Sequence, residues 1–346
     1  MAEINSSSPY AHNPQNVTGV MLAVVYALIP ATLAYVWLFG PGVLLNIGIA
    51  AVFALSAEAT ILAWRGAPVR PALSDGSALV TALLLGLALP PLSPWWLTTV
   101  GILFAIIIAK QLYGGLGFNP FNPAMVGYVA LLISFPVEMT TWLAPESLRS
   151  GELGFGAMLS YVFTGNLPVG LTLDSITAAT PLDEMKTQLS LGQTVNEIRS
   201  ASPLFAQFGG TGWQVINGLF LLGGLWLLAR RVITWHAPVG LLGMLFLLAG
   251  FFHFFDAGQY PGPVFHIASG GVLLGAFFIA TDPTSGATSN KGRLVFGAGA
   301  GALIYLIRTF GGFPDAVAFS VLLMNMAAPT IDYYTQPRVY GHIRKD

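Results

Sequence analysis

The chain has 346 residues, 55% hydrophobic and only 8% charged, with a mean hydropathy of +0.71. A soluble domain carries about 25% charged residues because its surface faces water; twenty-nine charges exclude that class and leave a surface that faces lipid. A net charge of −1 gives no basic footprint for nucleic acid, and the lack of cysteine excludes disulfides, thiol catalysis and cysteine-ligated iron–sulfur or zinc centres within the chain.

A run of about 18 apolar residues can cross the hydrocarbon core. Ten segments are candidates: 20–39, 42–64, 78–90, 95–110, 124–136, 213–229, 237–254, 264–280, 294–310 and 315–331. Segments 78–90 and 124–136 are too short to span alone and are flanked by Gly/Pro-rich stretches, as expected of broken helices beside a buried site. The first span lacks a basic leader and a small-residue cleavage site, so it does not read as a signal peptide.

The expected fold is an all-α polytopic membrane protein of about ten helices. Residues 1–136 form one five-helix half and 213–346 the other. Residues 137–212 form the one large loop, with seven acidic and three basic residues. With the N-terminus inside, Arg65, Arg70, Lys110, Arg230, Arg231, Lys291, Arg293, Arg338, Arg344 and Lys345 are cytoplasmic, which is ten of fourteen cations. Arg149, Lys186, Arg199 and Arg308 fall on the other side. Both termini are then cytoplasmic, and loop 137–212 is periplasmic in a bacterial inner membrane. Trp37, Trp95, Trp96, Trp213, Trp235, Tyr333 and Tyr334 near span ends suit interfacial belts.

The stretch from Ser77 to Val129 parallels that from Ser269 to Leu323. Ala78–Pro90 and Gly270–Ala280 are small-residue-rich spans. In each copy the next span ends in a cation, an aromatic and two glycines: Lys110, Tyr113, Gly114 and Gly115, then Arg308, Phe310, Gly311 and Gly312. Five spans per half would invert one copy relative to the other, a plan that places sites between the halves.

Two threonines end the pattern Asp-x-x-[Ser/Thr]-[Gly/Ala]-Ala-Thr, in Asp174–Thr180 and in Asp282–Thr288. The pattern resembles the signature at which flavin transferases join FMN to threonine through a phosphoester. That chemistry asks for an exposed hydroxyl on a flexible segment and small neighbours. Thr177, Ala178 and Ala179 precede Thr180, and Pro181 biases it toward extended geometry. If the transferase is exported, only Thr180 is within its reach. Thr288 then belongs to a structural inner loop beside Lys291 and Arg293.

Further segments complete a resemblance to the D component of the Rnf (Rsx) ion-translocating electron-transport complex, and more loosely to the B component of the sodium-translocating NADH:quinone oxidoreductase. They are Ser7–Asn13, Ala109–Gly117, Asn119–Met125, Ala179–Asp183, Arg308–Gly312 and Asp332–His342. The resemblance implies covalent FMN on Thr180 and not on Thr288. It implies a flavin transferase for maturation and partner subunits in the membrane and at its surface, one with its own covalent FMN. Sodium ions or protons would be the cargo. It also implies a second, noncovalent flavin (riboflavin). The Lys110–Met125 connection is the candidate to contact it: Gly114 and Gly115 allow close backbone approach, and Asn119 and Asn122 offer amides to a ring edge. The same connection reads equally as a re-entrant loop that merely packs.

Glu58 is the only acid well inside a span. Such carboxylates are functional candidates by default; it lies either on a cation path or near the inner interface, helped by Arg65. His236, His253 and His266 lack metal-ligand spacing and read as hydrogen-bonded polar residues, so no metal site is expected. The expected function is an electron-carrying, ion-translocating membrane subunit, not catalytic alone, of a ferredoxin:NAD oxidoreductase complex of the Rnf type. The competing readings are a plain ion or small-solute transporter or channel, and a structural scaffold.

Overall fold

Two 23-residue helices, α1 (Val17–Phe39) and α2 (Gly42–Trp64), open the computed structural model, which describes residues 17–149, 151 and 153–335. At 1.5 Å per residue each is about 35 Å long, enough to cross a bilayer core of about 30 Å. After the short α3 (Val69–Leu73), α4 (Ser77–Ala88) is only 12 residues long and stops before Pro90 and Pro91. The next helix, α5 (Trp95–Leu103), starts behind Pro94 and widens into a π-helix over Phe104–Gln111. Next comes α6 (Pro123–Ser134), also 12 residues, with Pro123 at its first position and the Asn122 side chain accepting from the Met125 N–H.

The 137–212 segment folds into a cap. After α7 (Pro136–Thr140), β1 (Trp142–Leu143) pairs antiparallel with β2 (Thr177–Ala178), Trp142 facing Ala178 and Leu143 facing Thr177. This two-residue ladder is a small departure from the all-α expectation. Between and after the strands lie α8 (Phe155–Thr164), α9 (Leu173–Ile176), α10 (Pro181–Ser190) and α11 (Val195–Ala201).

The second half holds α12 (Trp213–Ala229), α13 (His236–Phe255), α14 (Pro263–Ala268), α15 (Val272–Leu274) with a π-helical extension Gly275–Ile279, α16 (Asn290–Phe310) and α17 (Val317–Thr335). The sequence reads 264–280 as one span; the chain breaks it at Ser269–Gly271. Gly270 has φ +68, and a Cβ there would lie 2.5–2.8 Å from Asp315, Leu182 and Arg308 atoms, so a side chain is excluded twice over. Helices occupy each of the ten segments, but among the described residues only α1, α2, α13 and α16 are long and apolar enough to cross a membrane unaided.

The seam between α13 and α16 shows how these helices adhere where lipid removes the hydrophobic drive. A Cβ on Gly240, Gly297 or Gly301 would stand 2.2–2.5 Å from a main-chain oxygen of the facing helix. Small residues thus bring the two backbones into contact. The Ser7–Asn13 motif, the tail beyond Thr335 and its cations Arg338, Arg344 and Lys345 lie outside the described residues. Lys110 and Arg308 are buried, so neither counts toward a loop charge. The count between the two sides of the expected topology becomes nine cations against three.

Candidate functional site

Thr180 is the N-cap of α10, with φ −70 and ψ 154, the extended geometry expected before Pro181. Its Oγ1 accepts from the Asp183 N–H at 3.2 Å. The residues before it are tied down. Thr177 Oγ1 donates to the Leu173 main-chain oxygen at 2.9 Å, Thr177 and Ala178 form β2, and Asp174 sits exposed in the first turn of α9. The motif is therefore hydrogen-bonded in place, not the exposed, flexible segment that the attachment chemistry asks for. Thr180 is half-buried, because α10 packs Leu182 and Met185 against Val195, Ile198 and Phe265.

Lys186, one turn and a half further along α10, clamps it to the second half. Its ammonium donates to the main-chain oxygens of Arg308 (3.1 Å), Gly311 and Phe313 (3.3 Å) at the end of α16. Burial pushes the Lys186 ammonium below its ordinary pKa, opposed by the nearby Asp183 carboxylate. A cation at a helix C-terminus also meets the negative end of the helix dipole.

Thr180 stands on the wall of a cavity of about 330 Å³, at the low end of small-molecule sites, roughly 300–1,000 Å³. Both halves line it: Tyr35, Tyr128, Trp142, Trp213, Phe220 and Asp315 carry most of its character, with Thr180–Asp183 at one side. Trp213, read from sequence as a belt residue, is instead the hub of an aromatic cluster. Its ring centroid lies 5.9 Å from Tyr35, 5.0 Å from Phe39 and 5.2 Å from Trp142. No Lys, Arg or His is among the residues lining the cavity. Behind Asp315, Arg308 ties the broken helix in place. It pairs with Asp315 Oδ1 at 3.0 Å and donates to the main-chain oxygens of His266 and Ser269, while Asp315 Oδ2 accepts from Gly271 N–H at 2.7 Å.

The twin Thr288 is differently placed. It is exposed, and its N–H donates to both Asp332 carboxylate oxygens at 2.9 and 3.1 Å. Asp282 staples the same loop, accepting from Thr284, Ser285 and Asn122; burial raises its pKa against those hydrogen bonds. The amides of Asn119 and Asn122 are used here. Asn119 Nδ2 donates to Thr284 Oγ1 and the Phe121 main-chain oxygen, and the Asn122 main-chain N–H donates to Asn325 Oδ1. Gly114 and Gly115, at φ +120 and +101, turn the connection; none of these four lines the 330 Å³ cavity.

Glu58 is 1% exposed, and its partner is Lys110, not Arg65. Lys110 Nζ lies 2.6 Å from Glu58 Oε1, which also accepts from Gln111 Nε2 at 2.7 Å. Lys110 also donates to Ser77 Oγ at 2.7 Å, while Arg65 donates to the Gln111 main-chain oxygen. The π-helical stretch puts Lys110 and Gln111 on this face together. Sequence reasoning missed this pair, along with Lys186, Asp315 and the cavity aromatics. The one available signal was the alignment of Lys110 with Arg308.

Among the described residues no group of three metal-ligating side chains is present. His253 is hydrogen-bonded as expected, its Nδ1 lying 2.6 Å from the Tyr260 oxygen, and His236 stacks on Trp235. His266 departs from expectation, buried against Tyr305 with no hydrogen-bond partner at either ring nitrogen.

The sequence model of the NQR2, RnfD, RnfE family matches residues 4–341. Proteins named as the D component of an ion-translocating oxidoreductase complex are similar over nearly their whole length. The one from Pectobacterium carotovorum subsp. carotovorum is 52% identical over 98% of this chain and 99% of its own. Those from Ectopseudomonas mendocina and Alcanivorax borkumensis are each 54% identical over 99% of this chain and 97% and 98% of theirs. With a match that runs through the α1–α17 body and the Thr180 cap alike, the chain belongs to the NQR2, RnfD, RnfE family.

Proposed function

We propose that this chain is the flavin-carrying membrane subunit of an ion-translocating electron-transport complex, with FMN esterified to Thr180. The observation that carries the reading is the placement of Thr180, a helix N-cap on the wall of an aromatic cavity between the two halves. Its relatives' names supply the complex: an ion-translocating oxidoreductase in which the D component works beside others and not alone.

The residues fit the group. A phosphoester on Thr180 Oγ1 would lie at the N-terminus of α10, where main-chain N–H groups point outward and favour an anion. The cavity's rings offer apolar and edge contacts to an isoalloxazine, and the Lys186 clamp fixes the height of α10 above it. Bound flavin would supply electron transfer, with the protein contributing position and electrostatics. Trp142 and Trp213 would offer their rings to a bound flavin, and Asp315, already paired with Arg308, adds little net charge. Electrons arriving from a neighbouring protein of the complex need a short path, so the 137–212 cap doubles as a docking face.

Membrane placement follows the charge bias: both termini cytoplasmic and the cap periplasmic, in the inner membrane. Ten spans in two inverted halves are supported by matching cations. Lys110 reaches back to Ser77, and Arg308 to Ser269, the serines that open the two parallel stretches. A noncovalent riboflavin near Gly114, Gly115, Asn119 and Asn122 rests on a weaker footing, since both amide nitrogens are engaged and only Asn119 Oδ1 lacks a partner. A plain transporter, with Glu58 on the ion path, is the alternative; the Lys110 ammonium that neutralises Glu58 weighs against it.

The test is denaturing electrophoresis of the chain from cells with an active flavin transferase, viewed under ultraviolet light. A fluorescent band is expected. A dark band overturns the flavin reading and leaves the transporter.

A further inference from the structure

The cap has seven carboxylates and three cations, yet Leu153–Leu173 is a run of 21 residues without a charge. Its helix, α8, has three distinct sides. Met158 and Val162 are fully buried, Met158 in a cluster with Leu45, Leu92, Leu143 and Ile176. About 80° round the helix, at i, i+4 and i+8, Phe155 is 54% exposed, Leu159 38% and Phe163 49%. The next side carries the small or polar exposed Gly156, Ser160 and Thr164. A helix with an unpartnered apolar stripe between a buried side and a polar one is built for a boundary between oil and water.

The elements beneath α8 place that boundary. The Met158 methyl fills the space over Gly40 in the α1–α2 turn, and Leu45 and Leu92 belong to the start of α2 and the α4–α5 connection. These are the ends at which Trp37 and Trp95 are exposed, as in an interfacial belt. Leu33 of α1 and Leu44 of α2, on either side of that turn in the chain, are exposed as well. We infer that α8 is a membrane-interface helix, with Phe155, Leu159 and Phe163 seated at the acyl boundary of the lipid leaflet on the cap side. Lipid is favoured over a protein partner because α8 packs on the span ends that carry the exposed Trp37 and Trp95, and no charge on the segment offers a docking partner a polar rim. The segment itself carries no cation, so its seating rests on the apolar stripe. That seating also has a purpose within the fold. The core under α8 includes Leu143 of β1 and Ile176 just before β2, so the bilayer sets the height of the strand that leads into Thr180.

The absence of cysteine makes the test clean. Single variants Phe155→Cys, Leu159→Cys and Phe163→Cys, with Gly156→Cys and Ser160→Cys as controls, are nitroxide-labelled. Each is reconstituted in bilayers both as the full-length chain and as the assembled complex. Collision rates with oxygen, which partitions into lipid, and with a water-soluble nickel chelate are compared. The expected oxygen-to-nickel ratio is several-fold higher at 155, 159 and 163 than at 156 and 160, in neutral and in anionic lipid, with and without the rest of the complex. Equal nickel access at all five positions overturns the inference. So does shielding of the stripe from both reagents that appears only in the complex, which would make it a protein interface. A stripe ratio that rises only in anionic lipid overturns it as well.

Discussion

Thr180 and Thr288 end almost the same seven residues, yet the chain treats the two segments in opposite ways. The first leads through a two-residue strand into the N-cap of a ten-residue helix and leaves its threonine on the wall of a 330 Å³ cavity. The second is a surface loop cross-tied by Asp282 and Asp332, with its threonine exposed. Exposure alone would choose Thr288. A cofactor site needs more than a reachable hydroxyl. It needs room for the group: Thr180 lines the 330 Å³ cavity, whereas the Asp282–Ala287 stretch borders one of only about 90 Å³ and Thr288 lines neither. The Thr288 loop uses its polar groups to hold itself together.

The largest effect that can break this contrast is at the hydroxyls themselves. Thr180→Val is expected to abolish the fluorescent band, and Thr288→Val to keep it; the reverse pattern would invert the assignment. Next is the inner ion pair. Glu58→Gln leaves the Lys110 ammonium buried without its carboxylate, a loss of roughly 3–5 kcal/mol, while Glu58→Gln with Lys110→Met recovers most of it. Thermal unfolding of the purified chain reads both, and flavin attachment is expected to survive. If folded Glu58→Gln drives undiminished ion uptake in vesicles, Glu58 has no transport role. A smaller effect is expected at the cavity wall. Trp142→Ala, at a half-buried site, is expected to cost about 1–3 kcal/mol. It should leave the flavin attached and make its fluorescence easier to quench with iodide. Smallest is Lys186→Met, which removes charge-assisted bonds to three carbonyls worth about 1–2 kcal/mol after solvent screening. Lys186→Arg is expected to restore protection of the α10 amides in hydrogen exchange, where Lys186→Met loses it.

Local chemistry was readable ahead of the structure; convergence was not. Pro94, Pro123, Pro181 and Pro263 each mark a helix start, because proline suits the first turn and forbids what precedes it. The N-cap geometry of Thr180 follows from the same rule. The break at Ser269–Gly271 escaped notice because an apolar window averages over two glycines, and only the close approach of Arg308 and Asp315 reveals why they are needed. For Glu58 the sequence offers either a cation path or a helper, Arg65, at the end of its own helix, where spacing is legible. Its real partner arrives from the π-helical end of α5, and no periodicity within α2 announces it. The cavity is least legible of all: Tyr35, Tyr128, Trp142 and Trp213 come from four separate elements, and one of them looked like a membrane anchor.

The π-helical stretch Phe104–Gln111 has a consequence for how this chain tolerates change in length. A π-turn holds one residue more than an α-turn. A stretch that rewound to α geometry at its present length would turn everything beyond it by about 100°. Lys110 and Gln111 would then face away from Glu58 with their composition intact. A one-residue deletion from Phe104–Ile108, which gives up the extra residue together with the π-turn, is therefore expected to keep Lys110 and Gln111 on the Glu58 face, whereas rewinding at full length would uncouple the pair.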